Sequence, residues 1–292
     1  MSIQELIPHL EKTTGQSLGK GRLSMLSGGD INTAYQLQTN SFSWFVKVNR
    51  PSLAYMFEAE ATGLQELAES KTIRVPHVIN HGQTDHYSYL VLEHIDLGRL
   101  GSESAHLFGE QLANLHRQKR PFFGWHIDNT IGSTIQHNDR HDDWAEFWKE
   151  KRLLQQLRFA ADNGYGGKLQ SKGEKLADKI GAFFTSYQPH PSLLHGDLWG
   201  GNAAADREGQ PVIYDPACYY GDREADIAMT ELFGGFGSAF YAAYRDNYPL
   251  DSGYETRKIL YNLYHIINHL NLFGSAYLHQ AESMIERLLA ET

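Results

Sequence analysis

The sequence predicts an α+β chain in two lobes, a small β-rich one first and a larger, mainly helical one after it. Three observations predict this. Short β-prone runs are spread over residues 22–93. Beyond Leu97-Gly98, apolar residues recur with a period of about 3.6, that of a helix. One β-and-loop island, residues 192–216, interrupts the helical part. The boundary falls within 93–98, giving lobes of 1–95 and 96–292.

In chain order, MSIQELIPHLEKTT reads as a short helix. It lacks a basic start, an apolar core and a small-residue cleavage site, so it is not a signal peptide. RLSMLSGGDINTAYQLQT reads as two strands around a Gly-Gly turn, and SWFVKV (43–48) as a third strand. A helix is predicted over 52–70, and SYLVLE (88–93) as a further strand. Helical periodicity then runs through SAHLFGEQLANLHRQ, DDWAEFWKEKRLLQQLRFAAD and ETRKILYNLYHIINHLNLF. Trp125, Trp144 and Trp148 read as core.

A chain of 292 residues with 41% hydrophobic content can bury a sizeable core. Its formal net charge is -9 and it has no run of Lys or Arg, which argues against nucleic acid and anionic membranes as partners. The single cysteine, Cys218, excludes an intramolecular disulfide and suits a reducing compartment. No uncharged apolar run approaches the roughly 18 residues of a membrane span. These features predict a soluble, cytoplasmic protein.

The chemistry concentrates in the island, SLLHGDLWGGNAAADREGQPVIYDPA. A short apolar strand leads into His195-Gly196-Asp197. Asn202 follows five residues after Asp197, and a second apolar strand, PVIY, ends at Asp215. Phosphoryl transfer needs a positioned hydroxyl, a base for its proton and metal ions on the phosphates. Mg²⁺ takes hard oxygen ligands and keeps several waters, so one or two side chains suffice. An Asp on a tight loop, an Asn a few residues on and an Asp at a strand end supply that set.

The pattern H-G-D-x-x-x-x-N followed by a strand-terminal Asp resembles the catalytic loop of the aminoglycoside/choline kinase-like group within the protein-kinase-like superfamily. The longer strings LLHGDLWGGN and DPACYYGDREADIAM, with FVKVN at 45–49, MFEAE at 56–60 and FGG at 233–235, resemble the fructosamine-3-kinase (ketosamine kinase) family. The resemblance implies a protein-kinase-like fold. It implies Asp197 as catalytic base, Asn202 and Asp215 as Mg²⁺ ligands, His195 as a loop brace and Lys47 on the ATP phosphates. It implies adenine read by main-chain groups of Glu93, His94 and Ile95. The implied reaction is ATP-dependent phosphorylation of the sugar 3-hydroxyl of a ketosamine, on a free amine or a protein lysine, and hence protein deglycation. A kinase for another small alcohol, such as an aminoglycoside, choline or another sugar, shares the same loop. A non-catalytic ATP-binding scaffold is the third reading, and a scaffold would be free to lose one of these residues.

Lys47 needs an acidic partner. Leu53, Phe57, Leu64 and Leu67 share one face of the 52–70 helix, and Glu60 lies on it while Glu58 does not. A core-facing carboxylate is costly unless paired, so Glu60 is the expected partner. Gly28 and Gly29 precede Lys47 in a turn whose amides can approach phosphate, although Asp30 brings an acid there. Asp226 reads as a structural brace of the catalytic loop, and Asp222, Arg223 and Glu224 as a solvated turn with local ion pairs. His265 and His269 have helical i,i+4 spacing but no third metal ligand, so one of them, His269, is assigned to the acceptor site. Trp199, inside the loop, is assigned to stack on substrate.

Overall fold

A computed structural model describes residues 3–26 and 31–292. The turn carrying Gly28, Gly29 and Asp30 lies outside the described residues.

Five strands form one antiparallel sheet: β1 (Arg22–Leu26), β2 (Thr33–Gln38), β3 (Ser43–Asn49), β4 (Val78–Gln83) and β5 (Ser88–Glu93), in the order β1-β2-β3-β5-β4. The two-residue period of β3 sorts its side chains. Trp44, Val46 and Val48 join Leu6 and Leu10 of helix α1 (Leu6–Thr14) in a core on one face. Phe45 and Lys47 have the opposite parity and line a cavity on the other face. Helix α2 (Ala54–Glu69), entered through a 3-10 turn at Pro51–Leu53, packs its Phe57, Ala61, Leu64 and Leu67 with Leu90 and Leu92 of β5. Each of these large apolar side chains contributes about 1.5–3 kcal/mol by leaving water.

After β5 the chain leaves the sheet. Gly98 is clamped to Ala205 by two backbone hydrogen bonds of 2.7 and 3.0 Å. There follow α3 (Ser102–Leu115), a hairpin of β6 (Asn129–Ile131) and β7 (Thr134–Gln136), α4 (Trp144–Trp148) and α5 (Leu154–Asp162). One π-helical turn, Lys149–Leu153, fuses the last two, matching the continuous periodicity of that stretch. Trp125, Trp144 and Trp148 are all buried in the main core. The chain continues through α6 (Lys168–Ala177), four short strands β8 (Ser192–Leu194), β9 (Ala203–Ala205), β10 (Pro211–Ile213) and β11 (Tyr219–Gly221), then α7 (Glu224–Leu232), α8 (Ser238–Asn247), α9 (Tyr254–Phe273) and α10 (Leu278–Ala290). β9 pairs with β10 and β8 with β11, both antiparallel, so the island is two interlocked ribbons.

One expectation is overturned. Asp222, Arg223 and Glu224 are buried rather than solvated. Asp222 accepts hydrogen bonds from the Tyr187 and Tyr261 hydroxyls, Glu224 pairs with Arg257 at 2.7 Å, and Arg223 donates to the Tyr248 carbonyl. Those partners lie 25 to 39 positions away, and they satisfy charges that local spacing leaves open. Among the described residues no helix is long and apolar enough to cross a membrane.

Candidate active site

The site is built where β3, α2 and the island meet. A cavity of about 870 Å³ is lined by Lys47, Glu60, Asp197, Asn202 and Asp215. On the far side it is lined by Trp199, Phe233 and residues of α9.

Lys47 points from β3 into this space. Its ammonium lies 2.7 Å from Glu60 and 2.6 Å from Asp215, a residue 168 positions away. Burial opposes the charge, but the two carboxylates outweigh it and hold the Lys47 pKa above its ordinary value. Glu60 is pushed up by burial, against the pull of Lys47. Glu58, on another side of α2, is exposed. Gly63, one turn on from Glu60, permits the close approach of α2 to the island: a Cβ there would stand 3.2 Å from Cys218 Sγ and 3.4 Å from Pro216. That approach puts Glu60 and Asp215 around one ammonium.

Asp215 has φ +59, in the left-handed region, although it is not glycine. Such a conformation costs about 1–2 kcal/mol, and it is found where a side chain must be aimed. Here it directs the carboxylate to Lys47, with the side chain still 44% exposed to the cavity.

The loop after β8 is pinned from below. Asp226, on α7, accepts from the backbone amides of His195 and Gly196 at 2.8 and 2.9 Å, and lies 3.2 Å from His116 Nε2. Burial would raise its pKa, but His116, His195 and the Gly196 amide hold it below the usual carboxylate range. His195 is fully buried and bridges to the Tyr214 carbonyl and the Asp197 amide. Gly196 has φ +84, and a Cβ there would stand 2.1 Å from the Ala217 carbonyl oxygen, so no other residue fits. This scaffold aims Asp197 into the cavity. Burial and the charge of Asp215 push the Asp197 pKa up to about 7, with Asn202 opposing them. Asn202 donates to both the carbonyl and the carboxylate of Asp197, at 2.8 and 3.1 Å. Its Oδ1 accepts no hydrogen bond among the described residues, which leaves a hard oxygen in the cavity that the Asp215 carboxylate also lines.

The described residues contain no group of three or more His, Cys, Asp or Glu able to hold a metal ion. A pair of oxygens from Asn202 and Asp215 fits an ion that completes its shell with phosphate and water, as Mg²⁺ does.

Glu93, His94 and Ile95 do not line this cavity. All three are partly buried where the chain leaves the sheet; Glu93 is tied to Arg74 at 2.8 Å and to the His77 amide. Trp199 and His269 do line it. Sequence reasoning missed its other walls: the turn Asn129–Gly132, Phe233, Phe273, Tyr277 and His265. No spacing signal marked the α9 wall: His265, Asn268 and His269 share the helix with other buried polar residues, Arg257 and Asn262. Cys218 is a buried core residue, and burial pushes its thiol pKa well up.

The fructosamine kinase family pattern matches residues 2–291. A candidate ketoamine kinase of Synechocystis is 46% identical, the match covering 98% of this chain and 96% of that one. The chloroplastic protein-ribulosamine 3-kinase of Arabidopsis thaliana is 44% identical over 95% of this chain and 85% of its own. The solved structure of a candidate fructosamine-3-kinase from Haemophilus somnus superimposes with a TM-score of 0.89 at 30% identity, covering 97% and 96% of the two chains. Likeness of fold alone extends to an ADP-bound aminoglycoside phosphotransferase, with a TM-score of 0.64 at 18% identity over 97% of each chain.

Proposed function

The chain belongs to the fructosamine kinase family, and from that premise we propose that it uses ATP to phosphorylate a sugar hydroxyl of ketosamines, as a fructosamine or ribulosamine 3-kinase. The observation that carries this is the single cavity holding Lys47, Asp197, Asn202 and Asp215.

The nucleotide lies between residues 1–95 and 96–292. Main-chain groups of Glu93, His94 and Ile95, outside that cavity at the end of β5, take the adenine on the strength of the family resemblance. Lys47, held in place by Glu60, takes the phosphates, with the Gly28-Gly29 turn over them on sequence grounds. Asn202 and Asp215 would hold Mg²⁺, which would neutralise charge on the phosphates when bound. The acceptor hydroxyl meets Asp197. As the hydroxyl oxygen bonds to the γ-phosphorus, its proton passes to the Asp197 carboxylate and the bond to the ADP oxygen breaks. A base with a pKa near 7 suits that task at neutral pH. Asp226 and His195 hold the loop, while Trp199 and His269 contact the acceptor. The phosphorylated adduct then decomposes, so the activity is protein deglycation. The protein acts in the cytoplasm, on small or lysine-borne ketosamines.

The test is Mg²⁺-dependent ATP consumption by purified protein, with fructosyl-lysine, ribosyl-lysine, free sugars, choline and an aminoglycoside as acceptors. Asp197→Ala is the blank. Turnover with the ketosamines, lost in the variant, is the expected result. Turnover only with another acceptor moves the substrate to a different small alcohol. No turnover, with ATP still bound, leaves a scaffold.

A further inference from the structure

The acceptor side of the cavity contains an imidazole without a partner. His265, on α9, is 5% exposed, lines the cavity, and makes no hydrogen bond through its ring among the described residues. Its one ring neighbour of note is Tyr264, edge-on at 5.1 Å. Burial and the adjacent His269 push its pKa down to about 3, so the ring is neutral. A neutral imidazole carries one N–H donor and one bare nitrogen. Neither ring nitrogen is among the described polar atoms sealed from solvent without a partner, so both are open to the cavity, where a ligand can meet them.

His269, one turn on, completes the pair. Its Nδ1–H donates to the His265 carbonyl at 2.8 Å. That bond fixes the tautomer. Burial also keeps this ring neutral, so its Nε2 is a bare acceptor. Phe233, Phe273 and Tyr277 surround the ring at 4.9, 5.3 and 5.2 Å and hold its plane. The described residues supply no third ligand that would make the pair a metal site.

We propose that His265 and His269 together read the hydroxyls of the acceptor, and that His265 sets the selectivity for a polyhydroxylated acceptor over a simple amino alcohol. This rests on the function proposed above. A hydroxyl both donates and accepts, which is what a donor and two bare nitrogens can match. Neither ring is charged, so neither repels the secondary ammonium of a ketosamine. A bound acceptor displaces cavity water from the His265 ring; one lacking the matching hydroxyl leaves that ring unpaired, and a site built to bond a hydroxyl rejects such an analogue strongly.

The test compares wild type, His265→Ala, His265→Asn and His265→Gln with intact fructosyl-lysine and with its singly deoxygenated sugar analogues. His265→Ala is expected to lower kcat/KM for the intact acceptor roughly ten- to a hundredfold, to leave the KM for ATP unchanged, and to lose that penalty with one deoxy analogue. Asn or Gln is expected to restore part of the loss. An equal loss on every acceptor, or a loss confined to thermal stability, overturns the proposal. A second readout is the ¹⁵N imidazole spectrum of histidine-labelled full-length protein with Mg²⁺ and a non-hydrolysable ATP analogue. The His265 signals are expected to move on adding fructosyl-lysine. Wild-type turnover with unmoved signals overturns the histidine pair and leaves the function standing. No wild-type turnover of any ketosamine refutes the function instead. The same spectra with the sugar acceptors then decide the pair, and unmoved signals with all of them overturn it.

Discussion

Replacing Asp197 by Asn should abolish activity and at the same time make the protein more stable, increasingly so as pH rises. The carboxyl is pushed up to about 7 by burial and by Asp215, from a value near 4 in an unfolded chain. The folded state therefore binds this proton more tightly than the unfolded one. Stability falls as pH rises through the window between those two values, and the loss is complete above about pH 7. Asparagine carries no charge and is exempt. From about pH 5 to pH 8 the folded protein gives up about two pKa units of preference, or about 2.7 kcal/mol at 1.36 kcal/mol per unit. The carboxylate reaches cavity water, and screening there reduces the figure to about 1–2 kcal/mol. At about 2–4 °C per kcal/mol for a chain of this size, the Tm advantage of the variant should grow by about 2–8 °C between the two pH values. Thermal melts of both proteins at each pH, without nucleotide, measure it. A constant Tm difference, or one that shrinks toward high pH, refutes the electrostatic account of Asp197. Activity of Asp197→Asn should fall about 10²–10⁴-fold or more in the same preparations.

Three further outcomes follow from the same geometry. Lys47→Ala should destabilise the fold by about 3 kcal/mol, because it strands the buried Glu60 carboxylate; adding Glu60→Leu should recover part of that in urea melts while activity stays lost. Gly196→Ala should eliminate turnover and lower Tm, since its Cβ collides with the Ala217 carbonyl and its φ of +84 disfavours any side chain; wild-type turnover by this variant would contradict the loop geometry. Acceptor kcat/KM should fall toward acid pH as Asp197 takes up a proton, with the limb below the value of about 7 held by the metal-free protein because bound Mg²⁺ favours the carboxylate, and a profile with no acid limb at all would remove Asp197 as the base.

The phosphoryl-transfer half of the site was legible in the sequence because its demands are local. A base, an amide oxygen and a second carboxylate must sit on one loop and the next strand end, so spacing records them: Asp197, Asn202 and Asp215 lie within nineteen residues. Even the long-range pair of Lys47 with Glu60 left a local trace, since an acid on the apolar face of a helix demands a cation. The rest left no such trace. Asp222, Arg223 and Glu224 read as solvated because nothing nearby could satisfy them; their partners Tyr187, Tyr261 and Arg257 become neighbours only in the folded chain. His265 and His269 have the spacing of any buried helix face, and periodicity does not say whether that face meets side chains or a cavity.

These two halves are under different constraints. Asp197 cannot shift without disturbing Asn202, which bonds it directly, and the turn at His195-Gly196, whose amides Asp226 holds. The acceptor wall depends on few such bonds: Phe233 and Phe273 meet His269 ring against ring, and the His265 ring makes no hydrogen bond among the described residues. A substitution at His265 or Phe273 therefore changes what is recognised without dislodging the base. If selectivity resides in this wall, exchanging His265, His269 and Phe273 for smaller or acidic residues should redirect the enzyme toward other alcohols, while the pH of its acid limb stays where Asp197 sets it.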